Sequence, residues 1–145
     1  MEYHTNLNKL LSPTWVNISD FNWLLSDLDA VNFSKCELPI DFSENYSTLS
    51  SEDFKKVIES NIQIIWGVIA ALKKSENPKF NNEKFPYVEG NDNVWKNNEF
   101  QVENAVFEIT AWDSSYTIVK FKDEEFSEKF KNYFNEALEL DKYKF

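Results

Sequence analysis

The 145-residue chain contains no arginine; all fifteen of its cationic side chains are lysines. Arginine supplies the planar fork that grips phosphates and guanine edges at two points. A nucleic-acid binder also needs a basic footprint, whereas 25 acidic residues give this chain a net charge of −10. Direct nucleic-acid binding is therefore not expected. The chain has a single histidine, His4, and a single cysteine, Cys36. A serine or cysteine nucleophile needs a neighbouring base, usually imidazole, and His4 lies in a terminal stretch expected to fray. A lone thiol forms no internal disulfide and no cysteine-based zinc cluster. Two glycines are too few for a phosphate-cradling loop. The longest apolar run, IQIIWGVIAAL at 62–72, is about half of what a bilayer requires. The opening MEYHTNLNKLLSP lacks the basic and apolar blocks of a secretion signal. These absences predict a cytoplasmic protein without membrane attachment. Abundant Lys and Asn with no Arg is also the composition of an AT-rich genome, pointing to a bacterium or its phage.

What the chain does contain is apolar and aromatic material: 42% hydrophobic and 17% aromatic residues. That is enough for one folded domain spanning 1–145, and too much for a disordered chain. The runs TWVNI (14–18) and FNWLLSDLDAV (21–31) read as strands, with Leu24, Ser26 and Leu28 on one face and Leu25, Asp27 and Asp29 on the other. Residues 41–50 read as a Ser/Asn-rich loop. Over 51–74, Ile58, Ile62, Ile65, Ile69 and Leu72 recur at helical spacing, behind a capping Ser50 or Ser51. This predicts a central buried helix, with Gly67 tolerated inside it through close packing. The Asn/Glu/Lys-rich stretch 75–101 reads as a surface connection with one short strand near 85–89 or 93–96.

A hairpin follows. QVENAVFEITAW (101–112) places Ala105, Phe107, Ile109 and Ala111 on one face and Val106, Glu108, Thr110 and Trp112 on the other. SYTIVKFK (115–122) sets Tyr116, Ile118 and Lys120 opposite to Thr117, Val119 and Phe121, with Asp113-Ser114 as the turn. Asp123 then caps a final helix, 124–140, with a core-facing stripe of Phe126, Phe130, Phe134 and Leu138. The predicted class is α+β: an antiparallel sheet packed on a central and a C-terminal helix.

Few residues point to chemistry. Asp27 and Asp29, two apart on a strand, share a face, and Asp-x-Asp can hold Mg²⁺ or Ca²⁺. No further ligands are evident, and Gly90-Asn91-Asp92-Asn93 lacks calcium-loop spacing. No metal, cofactor or catalytic residue is assigned. Turn and cap chemistry accounts for Asp113, Ser114 and Asp123, but not for Trp112 and Tyr116, which flank the turn. Large aromatics beside polar groups are typical interface anchors, although Trp112 also fits a core.

A small acidic α+β domain with the segment ITAWDSSYTIVKFKDEEF (109–126) and a Phe-rich C-terminal helix resembles the immunity proteins of bacterial polymorphic toxin systems, including contact-dependent inhibition and type VI secretion. The likeness covers about residues 100–140 and is one of overall pattern. It implies a non-enzymatic protein that sits on a basic, nuclease-type toxin and occludes its active site. The expected contacts are Asp27, Asp29, Glu89, Asp92, Trp112, Asp113 and Tyr116, since an acidic surface favours and accelerates encounter with a basic partner. Two other readings fit the residues: a phage or regulatory inhibitor that mimics nucleic-acid charge, and a small metal-dependent hydrolase using Asp27 and Asp29. An aromatic-rich core also leaves room for a small-ligand pocket.

Overall fold

In the computed structural model, which describes residues 5–11, 15–33, 37–81 and 84–143, five strands form one antiparallel sheet ordered β2-β1-β3-β4-β5. The strands are β1 (Phe21–Asn32), β2 (Tyr46–Leu49), β3 (Ile62–Lys73), β4 (Phe107–Trp112) and β5 (Tyr116–Phe121). Three helices accompany them: α1 (Leu7–Leu11), α2 (Ser51–Glu59) and α3 (Glu124–Tyr133). The fold is α+β. His4 and Cys36 lie outside the described residues, as does Thr14 of the expected first strand. The remainder of that segment leads into a 3-10 turn at Ile18–Asp20 instead of forming a strand. β2 occupies part of the stretch that composition assigned to loop.

The largest departure from the sequence expectation lies in 51–74. Ser50 does cap the helix, accepting the Asp53 N–H, but α2 stops at Glu59 and β3 begins at Ile62. Ile62, Ile64, Ile65, Val68 and Ile69 are β-branched, which suits a pleated strand better than a helix. β3 is flanked by β1 and β4 and is packed on both faces. A strand buried on both sides is apolar at almost every position, so its pattern also satisfies a helical period. Gly67 therefore lies mid-strand, and its close neighbour is Leu28 of β1: an added Cβ would sit 2.5 Å from Leu28 Cδ2.

β1 also departs from simple alternation. Its register with β3 shifts between Ser26 and Asp29, and again before Ala30, with Asp27 at a φ of 54°. The first shift is a bulge in β1 and the second compensates for it in β3. Leu28 consequently joins Leu25 in the main core instead of sharing a face with Leu24 and Ser26. Asp27 and Asp29 are not neighbours on one regular strand face, because the bulge intervenes.

One face of the sheet packs on the three helices. Trp23 stacks on Phe54 of α2 at 4.4 Å, and Trp15 meets Phe107 and Phe130 at 5.2 and 5.1 Å. Phe107, Ile109, Ala111, Val119 and Phe121 of the hairpin face this core, as their alternation predicts, whereas Ala105 turns into the smaller core on the opposite face. Segment 74–106 covers that opposite face. Among its described residues it forms no strand, only a 3-10 turn at Asp92–Trp95 and an isolated bridge from Phe80 to Val102. It is more than a surface connection, since it buries Val88, Val94 and Val102. Asp123 caps α3 by accepting the Glu125 N–H, but the helix ends at Tyr133, short of 140. Phe130 and Phe134 are buried as expected, while Leu138 is 69% exposed and leaves the core stripe. Among the described residues no helix is long and apolar enough to cross a membrane.

Candidate functional site

Buried and half-buried polar side chains fasten segment 74–106 to the sheet. Ser26 Oγ donates to the Pro86 carbonyl at 2.6 Å, and Asp27 Oδ2 accepts the Val88 N–H at 3.1 Å. Glu108 and Lys120 face each other across the β4–β5 ladder and are only 2% and 3% exposed. Glu108 Oε1 accepts the Val102 N–H at 2.5 Å. Lys120 Nζ donates to the carbonyls of Asn93 at 3.1 Å and Glu99 at 2.7 Å. Each charge is thus solvated by backbone, as burial demands. Burial pushes the Glu108 carboxyl above its usual range, against the opposing pull of the Val102 and Gln101 N–H groups and of Lys120. Burial likewise lowers the Lys120 ammonium to about 8, opposed by Glu108 and Glu99.

The two carbonyls held by Lys120 bracket Trp95 in sequence, and among the described residues Trp95 is the hub of a cluster of five aromatic rings. Trp95 meets Trp112 at 5.3 Å, Tyr116 at 5.5 Å and Tyr143 at 5.7 Å. Trp66 joins through Trp112 at 5.2 Å, and Tyr116 touches Tyr143 at 5.6 Å. Most of these contacts are edge-to-face, the favoured geometry for quadrupolar rings. All five rings are only half-buried. They come from β3, the 3-10 turn, both ends of the hairpin turn and the C-terminal segment. Such an arrangement fixes large apolar surface at the boundary with water.

The hairpin turn is rigidly placed beside this cluster. Asp113 and Ser114 both adopt left-handed φ values, 47° and 57°, as in the mirror-image turns that suit hairpin twist. The Ser115 N–H closes the turn on the Trp112 carbonyl at 3.0 Å. Ser114 N–H donates to the Ile65 carbonyl at 2.9 Å, at the bulged position of β3, and Gln63 Nε2 reaches Ser114 Oγ at 2.6 Å.

The acidic residues singled out from sequence fall around these elements. Exposed Asp113 follows Trp112, and exposed Asp29 is the cross-strand partner of Trp66. Asp92 opens the 3-10 turn that ends in Trp95. Glu89 is exposed in the turn containing Gly90. Asp27 is the exception: its carboxylate serves the Val88 N–H. The oxygen-rich stretch at 90–93 is an ordinary capped turn, with Asn91 Oδ1 accepting the Asn93 N–H at 3.2 Å. Among the described residues no three His, Cys, Asp or Glu side chains converge closely enough to hold a metal ion.

Sequence reasoning found Trp112 and Tyr116 but missed Trp66, Trp95 and Tyr143 as their partners. It also missed Glu108 and Lys120 as anchors, although opposite charges on facing strands of a legible hairpin were an available signal. Next to the cluster lies a groove of about 580 Å³ between β5 and the C-terminal segment, with Trp95, Tyr116 and Tyr143 in its lining. No family model matches this chain, nor does any curated protein or solved structure.

Proposed function

We propose that this protein is a non-enzymatic immunity protein: it binds a basic, nuclease-type bacterial toxin and covers the toxin's active site. The observation that supports this reading is the half-buried cluster of Trp66, Trp95, Trp112, Tyr116 and Tyr143, bordered by Asp29, Asp92 and Asp113. Interface hot spots are typically tryptophan and tyrosine, held rigid by their own packing and surrounded by polar residues. The rings here are fixed before any partner arrives, so little ordering entropy remains to be lost on binding. A net charge of −10 speeds capture of a cationic partner, and buried rings slow its release.

The test is to purify the protein with the product of the adjacent gene, then measure affinity against salt and residual toxin activity. Inhibition is expected at one-to-one stoichiometry, with an association rate that falls as salt rises. Trp95→Ala and Trp112→Ala should each weaken binding by roughly thirtyfold or more, the scale of a hot-spot residue. A toxin that stays fully active beside an excess of this protein removes the proposal.

A further inference from the structure

The sheet order ends at β5, and among the described residues no strand lies beyond it. An edge strand presents unpaired backbone groups and is usually blunted by charge, proline or a covering element. Here the groove runs along the strand instead. Its floor includes Ile118, Val119 and Phe121, and its far wall is the C-terminal segment carrying Leu138 and Tyr143. Leu138 is the most exposed large apolar side chain among the described residues.

Backbone geometry fixes which groups of β5 face the groove. The Lys122 N–H donates to the Val106 carbonyl, in line with the register that pairs Glu108 with Lys120 and Thr110 with Ile118. Antiparallel ladders alternate, so the N–H and C=O of Val119 and Phe121 turn away from β4. The rim is acidic: Asp123, Glu124, Glu136 and Glu139 stand against Lys122 and Lys131. Both lysines are engaged, Lys131 by Glu139 and Lys122 by the Glu103 carbonyl.

We infer that β5 is the docking edge for an extended cationic segment of the partner, which adds to the sheet as a sixth antiparallel or parallel strand. The inference deepens the toxin-binding reading and rests on it. Main-chain bonds to Val119 and Phe121 supply affinity, alternate apolar side chains enter the groove, and alternate lysines or arginines meet the acidic rim. A second copy of this chain is the less suitable occupant, since two acidic rims would face each other.

The probe is a synthetic nine-residue peptide alternating Lys and Val, compared with the same peptide N-methylated at alternate residues. The two share charge and side chains but differ in pairing N–H groups. The full-length protein should bind the unmethylated peptide at least tenfold more tightly by fluorescence anisotropy. Amide exchange at Val119 and Phe121 should slow when that peptide is bound. Val119→Pro, tolerated on an outward N–H of an edge strand and checked by its circular dichroism, should erase the difference between the peptides. Equal binding of the two peptides, or no new protection at Val119 and Phe121, overturns the inference. So does concentration-dependent dimerisation of the protein alone with those two amides already protected, which would assign the edge to self-pairing. If Val119→Pro still neutralises the toxin while Trp112→Ala does not, strand addition fails and the immunity reading stands. If the toxin is never neutralised yet the peptide results hold, the immunity reading fails while the edge remains a cationic-strand site.

Discussion

Lys120 is the residue whose energetics are most exposed to experiment. Its ammonium is surrounded by protein, with two backbone carbonyls in place of water and Glu108 as its cross-strand partner. Because burial brings its pKa from 10.5 to about 8, the unfolded chain binds that proton more tightly than the folded one. Between about pH 8 and 10.5 the unfolded state therefore carries more protons, and stability rises with pH across that window. Urea midpoints taken at pH 7 and pH 10 on the protein and on Lys120→Met will show this: the wild-type increment should exceed that of the variant. Glu108 works in the opposite sense, since its raised pKa makes stability fall as pH climbs from the ordinary carboxylate range. A second residue-scale prediction concerns Asp27, which combines a φ of 54° with a carboxylate that accepts the Val88 N–H. Asn tolerates left-handed backbone and keeps an acceptor, so Asp27→Asn should change stability by under about 0.5 kcal/mol. Asp27→Ala loses both features and should cost roughly 2 kcal/mol in a denaturant titration.

At the scale of elements, what was legible followed from local rules. The β4–β5 hairpin was marked by alternation and by Asp113-Ser114, and the starts of α2 and α3 by Ser50 and Asp123, whereas the five-residue α1 carried no such signal. The 62–73 strand was not legible, because two-sided burial erases the period that distinguishes strand from helix. With β3 read as helix, Trp66 could not be placed beside Trp112. The bulge at Asp27 was hidden for a related reason: nothing in NWLLSDLDAV announces a shift whose room for Leu28 is provided by Gly67 across the ladder. The early end of α3 likewise has no glycine or proline behind it; Phe134 leaves helical backbone while packing on Phe130 at 4.9 Å. The candidate site was half visible for the same physical reason. Trp112 and Tyr116 belong to a local motif, whereas Trp66, Trp95 and Tyr143 reach them only through long-range packing. Restoring a strong helix preference at 62–69, for instance by Ile64→Ala with Ile65→Ala, should therefore destabilise the protein instead of extending α2. A loss of about 4 kcal/mol or more is expected for the pair in thermal or urea unfolding.

At the scale of the molecule, the sheet separates two unlike cores. The helix side holds most of the large rings, including Trp23, Phe54, Phe107 and Phe130. The other side is a thin layer of Leu24, Ala70, Leu72, Val102 and Ala105 under an irregular cover. The net charge of −10 surrounds both. Self-repulsion of such a charge weakens the compact state at low ionic strength, so raising NaCl from about 20 to 200 mM should raise the melting temperature of the free protein. The same addition should slow its association with a cationic partner, which separates the two electrostatic effects by sign.

Glu108 and Lys120 hold the 93–102 stretch to the sheet, while its one β-bridge, from Val102 to Phe80, stays within the cover itself, and this has a dynamic consequence. A cover attached by a few polar rivets detaches as a unit, well before the sheet beneath it melts. Native-state hydrogen exchange should then find Val88, Val94 and Val102 opening together, at a lower free energy than Ile69 or Ile109. Each such opening should take Trp95 with it, so exchange at Val94 should track the brief loss of the Trp95 contacts to Trp112 and Tyr116 from an otherwise fixed cluster.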